Sequence, residues 1–267
     1  MLAKRLIVVI ILIPVVVGLV SLGGWAYYLF IAFVMGLAAW EYNNLFRQGG
    51  YLPSAVVLIS GVVLLSLSRA AGQFGGSEII LTLLVMVAMA VYLFRYERGE
   101  EIAASNFNIT LGGLLYLGWL GAYLISLRQL PQGEWWLLTV LPASWLADGG
   151  AFVIGSKFGK HKMMPRVSPK KSWEGYLGGI LTATLGTALL GWLWHLRAPI
   201  ITPLKGAMLG FILAALTPLG DLGESMLKRQ FGVKDTSNIL PGHGGVMDRI
   251  DSLLWAAAIS FYIITIF

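Results

Sequence analysis

Apolar stretches long enough to cross a bilayer recur along the whole chain, separated by short polar breaks. About twenty apolar residues span the hydrocarbon core as a helix. Stretches of that kind lie at Leu6–Leu22, Trp25–Trp40, Pro53–Leu67, Glu78–Phe94, Ile109–Leu127, Trp135–Ile154, Tyr176–His195, Leu204–Leu219 and Ile250–Ile266. A chain in lipid must satisfy its backbone polar groups internally, which leaves helices for segments of this pattern. The expected fold is therefore an all-α polytopic integral membrane protein with about nine transmembrane helices.

Nine spans put the termini on opposite sides, and charge then sets the orientation. With the N-terminus cytoplasmic, inside segments hold fifteen of the nineteen Lys and Arg residues, and only Arg69, Arg128, Arg197 and Lys205 fall outside. That asymmetry is the positive-inside pattern. Met1-Leu2-Ala3-Lys4-Arg5 precedes the first apolar run without a small-x-small cleavage pattern after it, so an uncleaved first helix is expected.

Composition agrees: 57% of residues are hydrophobic and 12% charged, about half the charged share of a soluble domain. The formal net charge of +6 sits mostly in inside loops. It points to an anionic lipid bilayer or a phosphorylated substrate as partner and not to nucleic acid. No cysteine exists, which excludes disulfides, thiolate nucleophiles and thiolate metal sites. With three histidines, a metal would rest on carboxylates, which suits Mg²⁺-like ions.

The chain changes character near residue 145. Residues 1–134 read as an N-terminal bundle of about five helices with few acids, Glu41 among them. Residues 135–267 hold all five aspartates and two polar loops expected to be cytoplasmic, 155–175 and 221–249. Asp248 and Asp251 are three residues apart at the start of the last span, one helix face. Asp221 and Glu224 repeat that spacing, and Asp148 lies inside an apolar run. A carboxylate at such depth is costly unless paired, protonated or cation-bound. Salt bridges to Lys228, Arg229 or Arg249 explain any one of them singly; several together form a suitable cage for Mg²⁺ and phosphate.

Gly242-His243-Gly244-Gly245 precedes Asp248. Glycines there allow close backbone approach to phosphate ahead of a helix N-terminus, though a plain turn uses glycine in the same way. His243 is a candidate phosphate contact or proton relay, against a bystander loop histidine. In the other loop, Lys170, Lys171 and Ser172 offer cations and a hydroxyl to a triphosphate, with Glu174 beginning the next span. Lys157, Lys160 and Lys162 read as topology or lipid-headgroup charges, and Trp135, Trp136, Trp192 and Trp194 as interfacial anchors.

The 27 residues from Ser225 to Asp251 closely resemble the signature of the phosphatidate cytidylyltransferase (CDP-diacylglycerol synthase) family. The matching positions are Ser225, Lys228-Arg229, Lys234-Asp235, Ser237, Leu240-Pro241, His243-Gly244-Gly245-Val246 and Asp248-Arg249-Ile250-Asp251. Asp148, Asp221 and the Ser-Pro-Lys-Lys-Ser element at 168–172 also look like this family. The resemblance covers the C-terminal half; no residue of the first five spans can be carried over.

It implies an enzyme, commonly a homodimer, that joins CMP from CTP to phosphatidate and releases pyrophosphate. It further implies a bacterial inner (cytoplasmic) membrane location with the site on the cytoplasmic side. Asp221, Asp248 and Asp251 are the expected metal residues, for Mg²⁺ with K⁺ as a second candidate. Asp221, Asp248, Lys171 and His243 are the expected catalytic set. Asp148, Lys170, Ser172, Glu174, Lys228, Arg229, Gly244, Gly245 and Arg249 are the expected substrate contacts. Two alternatives stay open from the residues alone: a CTP-dependent enzyme acting on another lipid, and an ion-coupled transporter using its buried acids.

Overall fold

The computed structural model describes residues 2–240, 242 and 244–267, with side chains for 10–72, 74–240, 242 and 244–267. It runs α1 (Leu2–Leu22), α2 (Gly24–Gln48), α3 (Ala55–Glu97), α4 (Ala103–Gly113), a π-helical turn (Leu114–Trp119), α5 (Tyr123–Gln129) and α6 (Gly133–Phe158). There follow a hairpin, β1 (Lys162–Met164) and β2 (Ser168–Ser172), then α7 (Trp173–His195), α8 (Pro203–Leu216), α9 (Pro218–Gln230) and α10 (Met247–Ile266). Among the described residues, eight helical segments are long and apolar enough to cross a membrane, and a shorter apolar one, Ile10–Leu22, precedes them. The all-α polytopic fold read from hydropathy is the fold observed.

Three departures have physical reasons. Where only a polar loop was expected at 155–175, α6 runs on to Phe158 and a short antiparallel hairpin follows, its turn at 165–167, with Lys162 paired to Ser172 and Met164 to Ser168. Residues 221–230, also expected in a loop, are helical. Their helix α9 is amphipathic and polar overall, burying Gly220, Leu222, Glu224, Ser225 and Lys228 on one face, so hydropathy alone misses it. Trp136, expected at the interface, is fully buried and packs near Phe267, ring centroids 6.2 Å apart.

The chain divides into two compact units, Met1–Ser126 with Gln230–Ile250, and Leu127–Arg229 with Asp251–Phe267. In the first, α3 is hydrogen-bonded as one helix of 43 residues, which if straight would be about 65 Å long. It folds back on itself instead. The Tyr92 hydroxyl accepts from the Ser54 backbone N–H at 2.5 Å, and Arg95 donates to the Leu52 carbonyl at 2.9 Å. Leu84 packs against Gly61. Two spans, Ala55–Gly72 and Phe74–Glu97, thus form a hairpin whose bend carries Gly72, Gly75 and Gly76.

Arg69 sits near this bend and is fully buried rather than exposed in a loop. Its guanidinium lies 3.8 Å from the Phe74 ring centre, 4.7 Å from Trp119 and 5.0 Å from Tyr123, and it donates to Ser126 Oγ at 3.1 Å. Aromatic faces and a hydroxyl replace the water that a cation loses on burial.

The second unit is built on small residues at four-residue intervals, which let helices meet at backbone distance where lipid gives no hydrophobic drive. On α7 these are Gly175, Gly179, Ala183, Thr187 and Gly191; facing them are Ala147, Ala151 and Gly155 on α6, and Gly206, Gly210 and Ala214 on α8. A Cβ on Gly179 would stand 2.6 Å from the Ala147 carbonyl oxygen, and one on Gly210 would stand 2.7 Å from that of Ala183. Caps start the helices: Ser172 Oγ accepts from Gly175 N–H and Thr202 Oγ1 from Lys205 N–H, each at 3.2 Å.

Gly210→Val should force α7 and α8 apart and destabilise the second unit by about 1–3 kcal/mol. Denaturant titration in mixed micelles, compared with Gly18→Ala, where no atom lies within 4 Å of the added Cβ, checks the magnitude.

Candidate active site

In the second unit, the hairpin, α6 and α7, with Ala214 and Pro218, line an open pocket of about 450 Å³, within the usual range for a small-molecule site. Asp148, Lys170, Lys171 and Ser172 line it together with Lys162, Phe152, Met163 and Tyr176. Four of the residues singled out from sequence therefore meet in one place. The reason is local: β2 runs through Lys170 and Lys171 directly into Ser172, the N-cap of α7, so both lysines precede a helix N-terminus. Lys162, read as a topology charge, faces the same cavity.

Lys171 Nζ contacts Asp221 Oδ2 at 2.5 Å, and Ser225 Oγ donates to Asp221 Oδ1 at 3.2 Å. Asp251 Oδ1 accepts from its neighbour Ser252 N–H at 2.5 Å. The Asp251 carboxyl lies near Glu224 and within electrostatic reach of Asp221 and Asp148. Glu224, fully buried, takes Lys228 Nζ at 3.1 Å one turn along α9. Arg229 Nε donates to the Val167 carbonyl at 3.4 Å, tying the end of α9 to the hairpin turn.

Glu174 has a different task. Its carboxylate accepts from Lys160 and His161 backbone N–H groups at 3.2 Å and pairs with His161 Nδ1 at 2.6 Å, which fixes where the chain enters the hairpin.

The first unit holds the rest of the signature. Asp248, buried at the start of α10, accepts at Oδ2 from Thr236 N–H (2.9 Å), Thr236 Oγ1 (2.9 Å) and Gly245 N–H (2.8 Å). This carboxylate closes the loop before its own helix. The Gly245 N–H, a candidate phosphate donor by sequence, is engaged inward. Gly244 adopts φ +81°, where L side chains are rare, and a Cβ there would lie 2.9 Å from Asp248 Oδ2. Arg249 is exposed beside it. His243 and Pro241 lie outside the described residues.

One participant was missed from sequence. Glu41, on α2 and fully buried, accepts at Oε1 from Val246 N–H (2.9 Å) and Ser237 Oγ (2.6 Å). At Oε2 it accepts from Met247 N–H (2.7 Å) and Thr236 Oγ1 (3.2 Å). The available signal was an ionisable residue inside an apolar span, Trp40-Glu41-Tyr42, which marks a functional position by default.

The acidic groups of the second unit offer oxygen donors only, the chemistry of a hard cation. Among the described residues, no three carboxylate or imidazole groups converge closely enough to hold a metal by themselves. The donors therefore fit a Mg²⁺ ion held by one or two carboxylates and completed by water and substrate phosphate oxygens, its ordinary mode of binding. The ammonium of Lys171 already pairs with Asp221, so a metal at this carboxylate would share or displace that partner.

Comparison with known proteins extends the likeness well beyond the signature. The profile described as "Cytidylyltransferase family" matches residues 3–267. A phosphatidate cytidylyltransferase of Pseudomonas aeruginosa is 37% identical, with 96% of this chain and 98% of that protein aligned. One from Synechocystis is 32% identical over 98% and 96% of the two chains. One from Haemophilus influenzae reaches 46% identity over 49% of this chain and 45% of its own. Signature loop, lysine-bearing hairpin and both helical halves thus lie under one family profile from end to end, and the chain belongs to the cytidylyltransferase family.

Proposed function

We propose that this protein transfers CMP from CTP to phosphatidate, giving CDP-diacylglycerol and pyrophosphate, at the cytoplasmic face of a bacterial inner membrane. The observation that supports it most is the convergence of Lys170, Lys171, Ser172 and Asp148 on one cavity, beside Asp221. The full-length relatives named phosphatidate cytidylyltransferase support the choice of substrates.

Both substrates are polyanions, so the central difficulty is bringing like charges together. Lys170 and Lys171 offset the triphosphate charge, and the Ser172 side chain and the start of α7 add a favourable dipole. An ionised phosphate oxygen of phosphatidate attacks the α-phosphorus of CTP. The new P–O bond forms as the bond from the α-phosphorus to the bridging oxygen breaks, and pyrophosphate leaves with that electron pair. The nucleophile is already anionic near neutral pH, so no general base is needed. Arg229 and Arg249, expected as substrate contacts, carry the charge that suits the lipid phosphate.

When bound, Mg²⁺ supplies Lewis-acid polarisation and charge neutralisation at the nucleotide phosphates. Asp221 and Asp251 are the residues that would hold it; Asp248, expected in the same set, is engaged by Thr236 and Gly245 in the first unit. The same resemblance implies a homodimer.

Purified protein in detergent, given CTP and phosphatidate, should yield CDP-diacylglycerol and pyrophosphate. Product only from a polyprenol or ether-lipid acceptor would move the assignment to another lipid, and ion flux without product would favour a transporter. Chelation by EDTA should abolish turnover and added Mg²⁺ should restore it. Lys171→Ala should raise the KM for CTP roughly tenfold, about 1.4 kcal/mol of lost binding; unchanged nucleotide affinity would remove Lys171 from the site. Asp221→Asn should lower kcat by about 10²-fold or more, measured as pyrophosphate release.

A further inference from the structure

The signature loop, residues 236–247, hangs on a residue far from it in sequence. Glu41 receives four of its donors, two from the backbone and two from side chains, and lies 195 to 206 residues away from them. We infer that Glu41 is a positioning residue for the reaction: it holds the loop, and with it Asp248, in the arrangement that turnover requires, while touching no substrate itself. The inference rests on the transfer activity proposed above.

Three observations carry it. First, the two carboxylates divide the loop between them. Thr236 Oγ1 stands within hydrogen-bonding distance of both Glu41 and Asp248, at 3.2 and 2.9 Å, so the two carboxylates share its single proton. Second, Val246 and Met247 N–H are among the opening donors of α10, which have no intrahelical acceptor. Glu41 takes both, and as an anion at a helix N-terminus it is also favoured by the helix dipole. Third, the signature's glycine is shaped to it: a Cβ on Gly245 would lie 2.6 and 2.7 Å from the two Glu41 oxygens and would strike Thr236 Oγ1. Gly245 is thus small because Glu41 occupies the space beside it.

The neutral isostere cannot substitute. In Glu41→Gln, whichever position becomes –NH₂ turns a donor toward the backbone N–H of Val246 or Met247. Neither can reverse, and both are buried. A hydroxyl such as Ser237 can rotate; a backbone amide cannot.

The test uses the full chain in detergent. Glu41→Gln should lower kcat at least tenfold while the KM for CTP stays within about threefold. Hydrogen exchange should speed up in the peptide covering 235–248, with peptides of α6, α7 and α8 unchanged. Ser237→Ala, which removes one side-chain donor and no backbone contact, should shift kcat in the same direction by a smaller factor. Combined with Glu41→Gln it should add nothing further, as expected for groups acting as one unit. If Glu41→Gln does not fold, Ser237→Ala and Thr236→Val carry the test: each should lower kcat several-fold with faster exchange confined to 235–248. Wild-type kcat in these variants, or faster exchange spread evenly over the chain, would overturn the inference. Absence of CDP-diacylglycerol from the wild type would instead sink the assigned reaction, and the exchange pattern would still judge the role of Glu41.

Discussion

A backbone amide that leaves a helix inside an apolar protein has little water to bond, and unmet donors are costly there. The loop ahead of α10 is such a place. Its N–H groups at Thr236, Gly245, Val246 and Met247 are all collected by two carboxylates, Glu41 and Asp248. The arrangement explains why the segment is rich in small and hydroxylated residues: glycines let the oxygens approach, and Thr236 and Ser237 fill the remaining acceptor directions. A carboxylate with several donors is worth burying where a lone one is not.

The second unit solves a different problem with different means. Lysines and aspartates must be held near one cavity without collapsing it. Backbone-distance packing of α6, α7 and α8 sets a rigid floor, and the hairpin brings Lys170 and Lys171 to the rim on a strand that ends in a helix cap. Fixed positions limit the reorganisation needed when a charged ligand arrives. Glu174, spent on Lys160 and His161, belongs to that framework rather than to the cavity.

Much of this could be read from the sequence, for identifiable reasons. Apolar runs of bilayer length are a strong signal, and the membrane helices appear where that signal placed them. The lysine element and Asp148 were legible because charge beside an apolar run is rare. What escaped was α9, whose alternating polar and buried faces defeat a hydropathy reading, and the hairpin, whose strands are too short to show a period of two. Glu41 escaped because its partners lie at the other end of the chain; no local pattern encodes a contact across about two hundred residues. Gly245 looked like a phosphate-binding glycine, and only the coordinates reveal that a carboxylate fills the space its missing side chain leaves.

The buried guanidinium of Arg69 bears on how the molecule is made. Two of its aromatic neighbours, and the hydroxyl 57 residues further on that accepts from it, are synthesised well after the helical pair that carries it. Chains emerge from the N-terminal end. A nascent bundle must therefore keep that cation at an interface, or wet, until Trp119, Tyr123 and Ser126 arrive to clothe it. The segment Ala103–Gln129 supplies the groups that line that cation in the folded chain.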